Sequence, residues 1–233
     1  VVADDLADPS IVGGRLFFFP MASFPLSLGV QGVADFFPAR ELADPDSVGD
    51  PIFLALGLDL DLPILKSGGL LGLRWFAEGA ALLPYTREAV GTERPGFQTQ
   101  FLWSDGCLKN WGAATGFLGN VAFVDLRLEF RYYTGAFKTS IFDSSYERNS
   151  GAYASEYAGY LTTPTSYNVM GVYGEGGFTF LREKLSFNLG YFWPWSPNAT
   201  SFAEQVANDD YLLVKLVVKK GLIPVLDIYG SIS

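Results

Sequence analysis

Histidine is absent from this chain of 233 residues, and cysteine occurs only once, at Cys107. Without histidine, the Ser–His–Asp and Cys–His catalytic arrangements are excluded, and the commonest side-chain metal ligand is missing. A single cysteine also excludes a disulfide framework within the chain and a metal site built from several cysteines. We therefore expect neither an enzyme nor a bound metal or other cofactor.

Charged residues are scarce as well, at 18% of the chain, against about 25% in an ordinary soluble domain. The formal net charge of −9 argues against a nucleic-acid partner. No apolar run reaches the roughly 18–20 residues of a membrane-spanning helix. Aromatic residues, in contrast, make up 16% of the chain. A membrane protein without spanning helices has to be a closed β-barrel, since only helices and barrels satisfy every backbone group in lipid.

Alternation between apolar and polar residues is clearest in Val121–Gly135, VAFVDLRLEFRYYTG. Successive side chains of a strand point to opposite faces, so the alternation separates two sets. The apolar set is Val124, Leu126, Leu128, Phe130 and Tyr132, and the polar set is Asp125, Arg127, Glu129, Arg131 and Tyr133. Two structures stabilise such a strand: a sheet with one face in water, and a barrel with lipid outside and a polar lumen inside.

The same period of two predicts ten strands along the chain. They are Ile11–Phe19, Leu26–Phe37, Ile52–Leu62, Leu71–Leu83, Phe97–Leu118 with an interruption at SDGCLKN, Val121–Gly135, Tyr167–Leu181, Leu185–Trp195, Tyr211–Lys219 and Val225–Ser233. Loops are predicted at Val1–Ser10 and Lys138–Ser166, and a tight turn at Leu118–Val121, where Gly and Asn favour a turn.

Short and long connections alternate between the predicted strands, which puts all the long loops at one end of an antiparallel meander. This layout is typical of outer-membrane barrels. Over essentially its whole length the chain resembles the bacterial outer-membrane β-barrel class, and its opening IVGGRLFFFP…PLSLGVQGVADFFP resembles uncharacterised spirochaete-type outer-membrane proteins. The resemblance implies an all-β, antiparallel up-and-down transmembrane barrel of about 10–12 strands, located in the bacterial outer membrane with lipid as a partner. We expect one domain over 1–233, or an excerpt of a larger barrel.

Charged residues on the polar faces of the predicted strands are nearly balanced in sign. The predicted lumen residues are Arg15, Asp35, Asp59, Asp61, Arg74, Glu78, Asp125, Arg127, Glu129, Arg131, Glu175, Lys215, Lys219 and Asp227. In lipid each charge would cost several kcal/mol, so these groups have to face water or one another. The balance predicts a cross-strand ion-pair network inside a narrow barrel. These charges either fill the lumen or line a path or ligand cavity.

Three functions remain open from the sequence. The first is a passive pore or transporter for small solutes or lipid-like ligands. The second is a plugged structural or adhesion barrel that uses its long loops for recognition. The third is a soluble lipocalin-like ligand binder, which requires a buried apolar set, namely Leu54, Leu56, Leu58, Trp75, Leu126, Leu128 and Phe187, with Arg127 and Glu129 outside. Both barrel hypotheses require the reverse.

Overall fold

The computed structural model describes residues 2–3, 10–67, 70–104, 106–139, 142, 146–163, 168–180, 185–195, 210–218 and 229–232. The strands are β1 (Val2–Ala3), β2 (Ile11–Phe18), β3 (Ser27–Asp35), β4 (Pro51–Ser67), β5 (Leu71–Thr86), β6 (Gly96–Phe97), β7 (Trp103–Ser104), β8 (Cys107–Leu108), β9 (Trp111–Val121), β10 (Val124–Thr134), β11 (Asn168–Phe180), β12 (Leu185–Trp195), β13 (Tyr211–Val218) and β14 (Tyr229–Ile232). The helices are α1 (Thr99–Leu102), α2 (Tyr146–Thr162) and a 3₁₀ turn at Pro45–Val48.

Among the described residues, twelve strands form one antiparallel sheet in the order β1-β2-β3-β4-β5-β9-β10-β11-β12-β13-β14, with β6 against β5. Neighbours along this order are also neighbours along the chain, apart from the excursion that holds β6, β7 and β8. The up-and-down antiparallel sheet is therefore confirmed. No backbone pairing in the described part of the chain joins β1 or β2 to β13 or β14, so closure into a barrel stays a prediction.

The alternation of connections is confirmed from β2 to β12 by the strand boundaries. Shorter connections cover 19–26, 68–70, 122–123 and 181–184, and longer ones cover 36–50, 87–110 and 135–167. Residues 196–209 and 219–228, where a long and a short connection were predicted, lie outside the described residues. Because every pairing in the sheet is antiparallel, the long connections share one end, which we call the long-loop end. The other end is the short-turn end.

Four local predictions were wrong. The tight turn lies at Ala122–Phe123 and not at Leu118–Val121, because Ala122 takes a left-handed φ of 54° and its N–H donates to the Leu70 carbonyl at 2.6 Å. Residues Phe97–Trp103 do not extend β9: only Gly96–Phe97 pairs with β5, and α1 follows.

The two remaining errors concern predicted loops. The loop Lys138–Ser166 contains α2, and the N-terminal loop contains the two residues of β1, which pair with β2. A two-residue strand carries no alternation that could be detected, so β1 had no signal in the sequence.

The two faces of the sheet differ sharply in polarity. Directly opposed residues of neighbouring strands share a face, so the registers assign every position. Most of the exposed apolar side chains of the sheet lie on one face, which we call the apolar face, whereas Phe17 and Tyr211 are exposed on the other. The exposed side chains of the apolar face are Val12, Leu16, Phe18, Val30, Leu56, Leu58, Leu71, Leu73, Phe117, Val121, Leu126, Leu128, Phe130, Phe180, Leu189, Tyr191, Trp193, Leu212 and Leu216. Over the described parts of β2–β5 and β9–β13, no charged residue lies on this face.

Candidate functional site

The second face, which we call the polar face, carries the charged residues. The registers place twelve of the fourteen predicted residues on it: Arg15, Asp35, Asp59, Asp61, Arg74, Glu78, Asp125, Arg127, Glu129, Arg131, Glu175 and Lys215. Lys219 and Asp227 lie outside the described residues. The sheet thus collects on one surface charges that are up to 200 positions apart in the chain, while their role in binding or passage stays a prediction.

Contacts that skip strands show that the polar face is concave. Arg131 of β10 donates a hydrogen bond to the hydroxyl of Tyr211 on β13, although β11 and β12 lie between them. Three strand spacings amount to about 14 Å in a flat sheet, and side chains standing parallel would not meet. Arg15 of β2 reaches Asp59 of β4 at 2.5 Å in the same way. The sheet therefore curls around its charges.

Glu129 is the centre of the polar face. Its side chain has no exposed surface and lies between two guanidinium groups of the same strand, with Arg127 Nε at 2.7 Å and Arg131 on the other side. All three side chains lie two positions apart, so strand alternation alone aims them at the same space. A fully buried carboxylate is tolerated because two charge-assisted pairs replace its water.

Arg131 is also enclosed by aromatic rings from three strands. Its guanidinium carbon lies 4.2 Å from the ring centre of Tyr173, 5.4 Å from that of Phe192 and 5.7 Å from that of Tyr211. These are cation–π distances, and the charge is mostly shielded from solvent. The aromatic members were absent from the predicted set, although Tyr173 and Phe192 sit at polar-face positions of strands whose alternation is readable.

Other charges on the polar face form pairs around this centre. Arg74 contacts Asp61 at 3.1 Å, and Glu175 accepts hydrogen bonds from Tyr173 Oη at 2.9 Å and Asn188 Nδ2 at 3.0 Å. Glu78 stands directly opposite Asp59 in the register. The predicted ion-pair network is therefore present for part of the set; Lys215 forms no ion pair with another described residue.

Glycines on the polar face make room for these large side chains. The Asp59 carboxylate lies over Gly29, the Gln31 amide over Gly57 and the Tyr173 hydroxyl over Gly190, so a methyl group at any of the three positions would collide with its neighbour. This alternation of very small and very large residues is how a narrow interior is filled.

A cavity of about 540 Å³ opens toward the short-turn end of the polar face. We call it the vestibule. Its lining residues are Pro63, Leu65, Lys66, Gly72, Leu73, Arg74, Leu118, Gly119, Asn120, Asp125, Leu126, Arg127, Glu175, Gly177 and Asn188. Charged groups of the polar face, among them Lys66, Arg74 and Asp125, border open space here.

The long-loop end is built differently, around helix α2. Buried side chains of this helix pack against the loops and the wall in one cluster, which we call the cap: Ala39, Val48, Phe53, Val90, Phe101, Tyr146, Ala154, Tyr157 and Ala158. Phe53 belongs to the polar-face row of β4 and is completely buried under the helix. Its ring meets the Tyr157 ring edge-on at 5.6 Å. The cap therefore covers the concave face at this end with apolar contacts.

Two buried tyrosines of α2 have contrasting surroundings. The Tyr146 hydroxyl donates to Asp35 Oδ2 at 2.6 Å, whereas the buried Tyr157 hydroxyl has no hydrogen-bond partner among the described residues. Burial raises the pKa of Tyr146 above its usual value, and the hydrogen bond to Asp35 adds to the effect. Burial also raises the pKa of Tyr157, with a smaller contribution from the charge of Glu93.

Helix α2 has a helical spacing of buried residues in the sequence, but strand alternation alone predicts a loop in this region. The buried positions Tyr146, Ser150, Ala154, Tyr157 and Ala158 recur every three or four residues, which is the spacing of one helix face. Asp35, one of the predicted lumen residues, lies under this helix, where it accepts a hydrogen bond from the Tyr146 hydroxyl.

Comparisons with protein-family models, with curated proteins and with solved structures find no match to this chain. In the part of the chain that the structure describes, neither helix has the length and apolar character needed to cross a membrane. The described residues also contain no group of three or more His, Cys, Asp or Glu side chains arranged to hold a metal ion.

Proposed function

We propose that this chain is an outer-membrane β-barrel that admits small solutes to a charge-lined interior from its short-turn end. The observation that carries the proposal is the inverted polarity of the sheet. Glu129 is 2% exposed, while Leu58 and Leu128 are 63% and 56% exposed. Water would favour the reverse, because burying a carboxylate and exposing rows of leucines both raise the free energy of folding. Lipid around the apolar face removes the penalty of the exposed leucines, and the pairs with Arg127 and Arg131 offset that of the buried carboxylate.

The dimensions of the apolar face support a bilayer as its surroundings. The run Ile52–Leu62 presents six aliphatic side chains to that face. It extends over about 33 Å at roughly 3.3 Å per residue, and over about 25 Å along a barrel axis at a tilt of ~40°. This is the height of the apolar band in outer-membrane barrels.

Aromatic side chains lie at the long-loop edge of the same face. The rings of Trp111 and Tyr132 are tilted against each other with centres 5.5 Å apart, and those of Phe130 and Trp195 lie 6.3 Å apart. Amphipathic rings of this kind concentrate at the boundary between hydrocarbon and headgroups. The soluble alternative requires the seven apolar residues named above to be buried; none of them is buried in the structure.

A second candidate, the plugged barrel that acts through its loops, is favoured by the cap. Phe53 and Phe101 are 0% and 3% exposed beneath α2, so the long-loop end offers no obvious passage. The two candidates share the membrane wall and differ in whether solutes pass. Ion conductance in planar bilayers separates them: steady channels support passage, and a protein that inserts but stays silent supports the plugged barrel.

Insertion itself is tested by placing one charge on the apolar face. In Leu128→Arg a guanidinium would face the middle of the bilayer, and we expect the free energy of unfolding from lipid vesicles to fall by about 2–4 kcal/mol. The matched control is Leu108→Arg, because Leu108 has a similar exposure of 48% but lies in the long-loop hairpin β7–β8. Equal small effects at both positions would contradict a lipid-facing wall.

A further inference from the structure

The vestibule has the size of a small-molecule site and an unusual distribution of charge. Its volume of about 540 Å³ falls within the roughly 300–1,000 Å³ of ligand pockets. Six strands contribute to its wall: β4, β5, β9, β10, β11 and β12. A site assembled from so many rigid strands holds its polar groups in fixed positions.

Positive and negative groups are unevenly distributed across this cavity. Lys66 and Arg74 come from β4 and β5, whereas Asp125 and Glu175 come from β10 and β11, on the opposite side of β9. Arg127 is also on β10, stands directly opposite Glu175 in the register and is 36% exposed at its side chain. The β4–β5 side of the vestibule thus presents two cations, and the β10–β11 side presents two carboxylates beside Arg127.

Several of these groups keep hydrogen-bonding capacity after their internal contacts are counted. A guanidinium has five N–H donors. Arg74 uses one of its nitrogens to contact Asp61 at 3.1 Å, and its side chain remains 50% exposed. Asp125 is exposed and forms no ion pair with another described residue. A charged ligand can therefore bind at both sides without breaking the network around Glu129.

We propose that the vestibule binds a small zwitterionic solute of peptide size, with its carboxylate toward Arg74 and Lys66 and its ammonium group toward Asp125 and Glu175. The inference rests on the proposed function, since it names the class of solute that the interior would take. A purely anionic or cationic solute would satisfy one side and leave the other unmatched.

The spacing across the vestibule favours a short peptide over a single amino acid. Arg74 and Asp125 are two strands apart and two positions apart along the strands, which separates their backbones by about 12 Å in a flat sheet and brings their side chains closer where the sheet curls. An extended tripeptide separates its terminal charges by about 10 Å, at roughly 3.3–3.6 Å per residue, whereas a single amino acid holds its two charges on neighbouring atoms.

Calorimetric titration of the detergent-refolded full chain tests the proposal with three matched probes. Triglycine carries both charges, N-acetyl-triglycine only the carboxylate, and triglycinamide only the ammonium group. We expect triglycine to bind at least tenfold more tightly than either blocked peptide. Equal binding of the three, or no binding of triglycine, would overturn the proposal.

Two variants assign the ends of the ligand. Asp125→Asn is expected to abolish the preference for triglycine over N-acetyl-triglycine, and Arg74→Gln the preference over triglycinamide. Arg15→Gln is the matched control. Arg15 is paired with Asp59 as Arg74 is with Asp61, and it is 57% exposed at its side chain, but it does not line the vestibule. A loss of preference in Arg15→Gln equal to that in Arg74→Gln would contradict the assignment.

Failure of this inference differs from failure of the proposed function. A chain that inserts into bilayers and is destabilised by Leu128→Arg, but binds no triglycine, overturns the zwitterion site alone. A chain that does not insert overturns the membrane proposal, whatever it binds.

Discussion

The two ends of the sheet are formed by the same strands but differ in what covers the concave face. At the long-loop end, α2 and two loops bury Phe53, Phe101 and Tyr157 in an apolar cluster over the concave face. At the short-turn end, the strands meet through short connections and leave a charged vestibule of about 540 Å³. Between the two ends lies Glu129, which is fully buried between two arginines.

This difference shows which part of the chain covers the concave face. Strand alternation is the same at both ends, so it produces the wall and the polar face but does not decide which end is covered. Loop length differs between the ends: helix α2 lies in the long connection 135–167, whereas the fully described short connections are 19–26 and 122–123 and contain no helix.

The largest predicted effect concerns Glu129, which lies between the two ends. Glu129→Ala removes the carboxylate between Arg127 and Arg131 and leaves Arg131, which is 12% exposed at its side chain, without a counter-charge. We expect a loss of about 3–5 kcal/mol in the free energy of unfolding, measured by urea titration in vesicles.

The control for this variant is an exposed ion pair at the capped end. Glu156 contacts Lys138 at 2.5 Å with side chains 52% and 42% exposed, and Glu156→Ala is expected to cost less than about 1 kcal/mol. Comparable losses in the two variants would mean that Glu129 is not the buried centre of the protein.

Alkaline pH is predicted to weaken the capped end. The pKa values of Tyr146 and Tyr157 are raised in the folded state, so both hydroxyls stay protonated where the unfolded chain ionises. Their stabilisation is complete below pH ~10 and declines above it, by up to about 1.4 kcal/mol per pH unit for each tyrosine. Urea titrations between pH 9 and 11.5 measure it.

A double variant identifies the source of the alkaline effect. In Tyr146→Phe/Tyr157→Phe both ionisable groups are gone, and we expect the slope of stability against pH above 10 to become distinctly shallower. An unchanged slope would show that tyrosines elsewhere dominate and that the cap is not the alkali-sensitive region.

A smaller effect, of opposite sign at two positions of α2, tests the packing of the cap. Tyr146→Phe removes the hydrogen bond to Asp35 Oδ2 and leaves a buried carboxylate with one partner fewer, at a cost of about 1–3 kcal/mol. Tyr157→Phe removes a buried hydroxyl that has no partner among the described residues, and is expected to be neutral or stabilising by up to about 1 kcal/mol. A loss at position 157 as large as that at 146 would contradict the cap described above.

The sequence predicted the wall and the polar face well, because both follow from a period of two that local residues encode. Arg127, Glu129 and Arg131 were assigned to one face by spacing alone, and the registers agree. The predicted turn at Leu118–Val121 failed because a hydrogen bond from Ala122 to the neighbouring turn at Leu70 fixes the real one. That contact is tertiary and leaves no local pattern.

Helix α2 and the vestibule could not be derived in the same way. The helix has a readable spacing, but its polar composition, rich in Tyr, Ser and Gly, favours a loop by propensity, and burial against Phe53 and Phe101 stabilises it. The vestibule depends on sheet curvature, which brings β5 and β11 to one cavity. Alternation assigns faces but does not determine curvature.

Thiol labelling from one side of the membrane tests the central claim, that the two ends differ in access. Cys107 is exposed in the long-loop hairpin, so its labelling by an impermeant reagent outside vesicles reports the fraction of molecules with long loops outward. Leu118→Cys in a Cys107→Ser background places a thiol in the vestibule. We predict that this thiol reacts in the complementary fraction, reached only from the short-turn side. Labelled fractions of the two thiols that do not add to one, including complete labelling of both, would contradict the account.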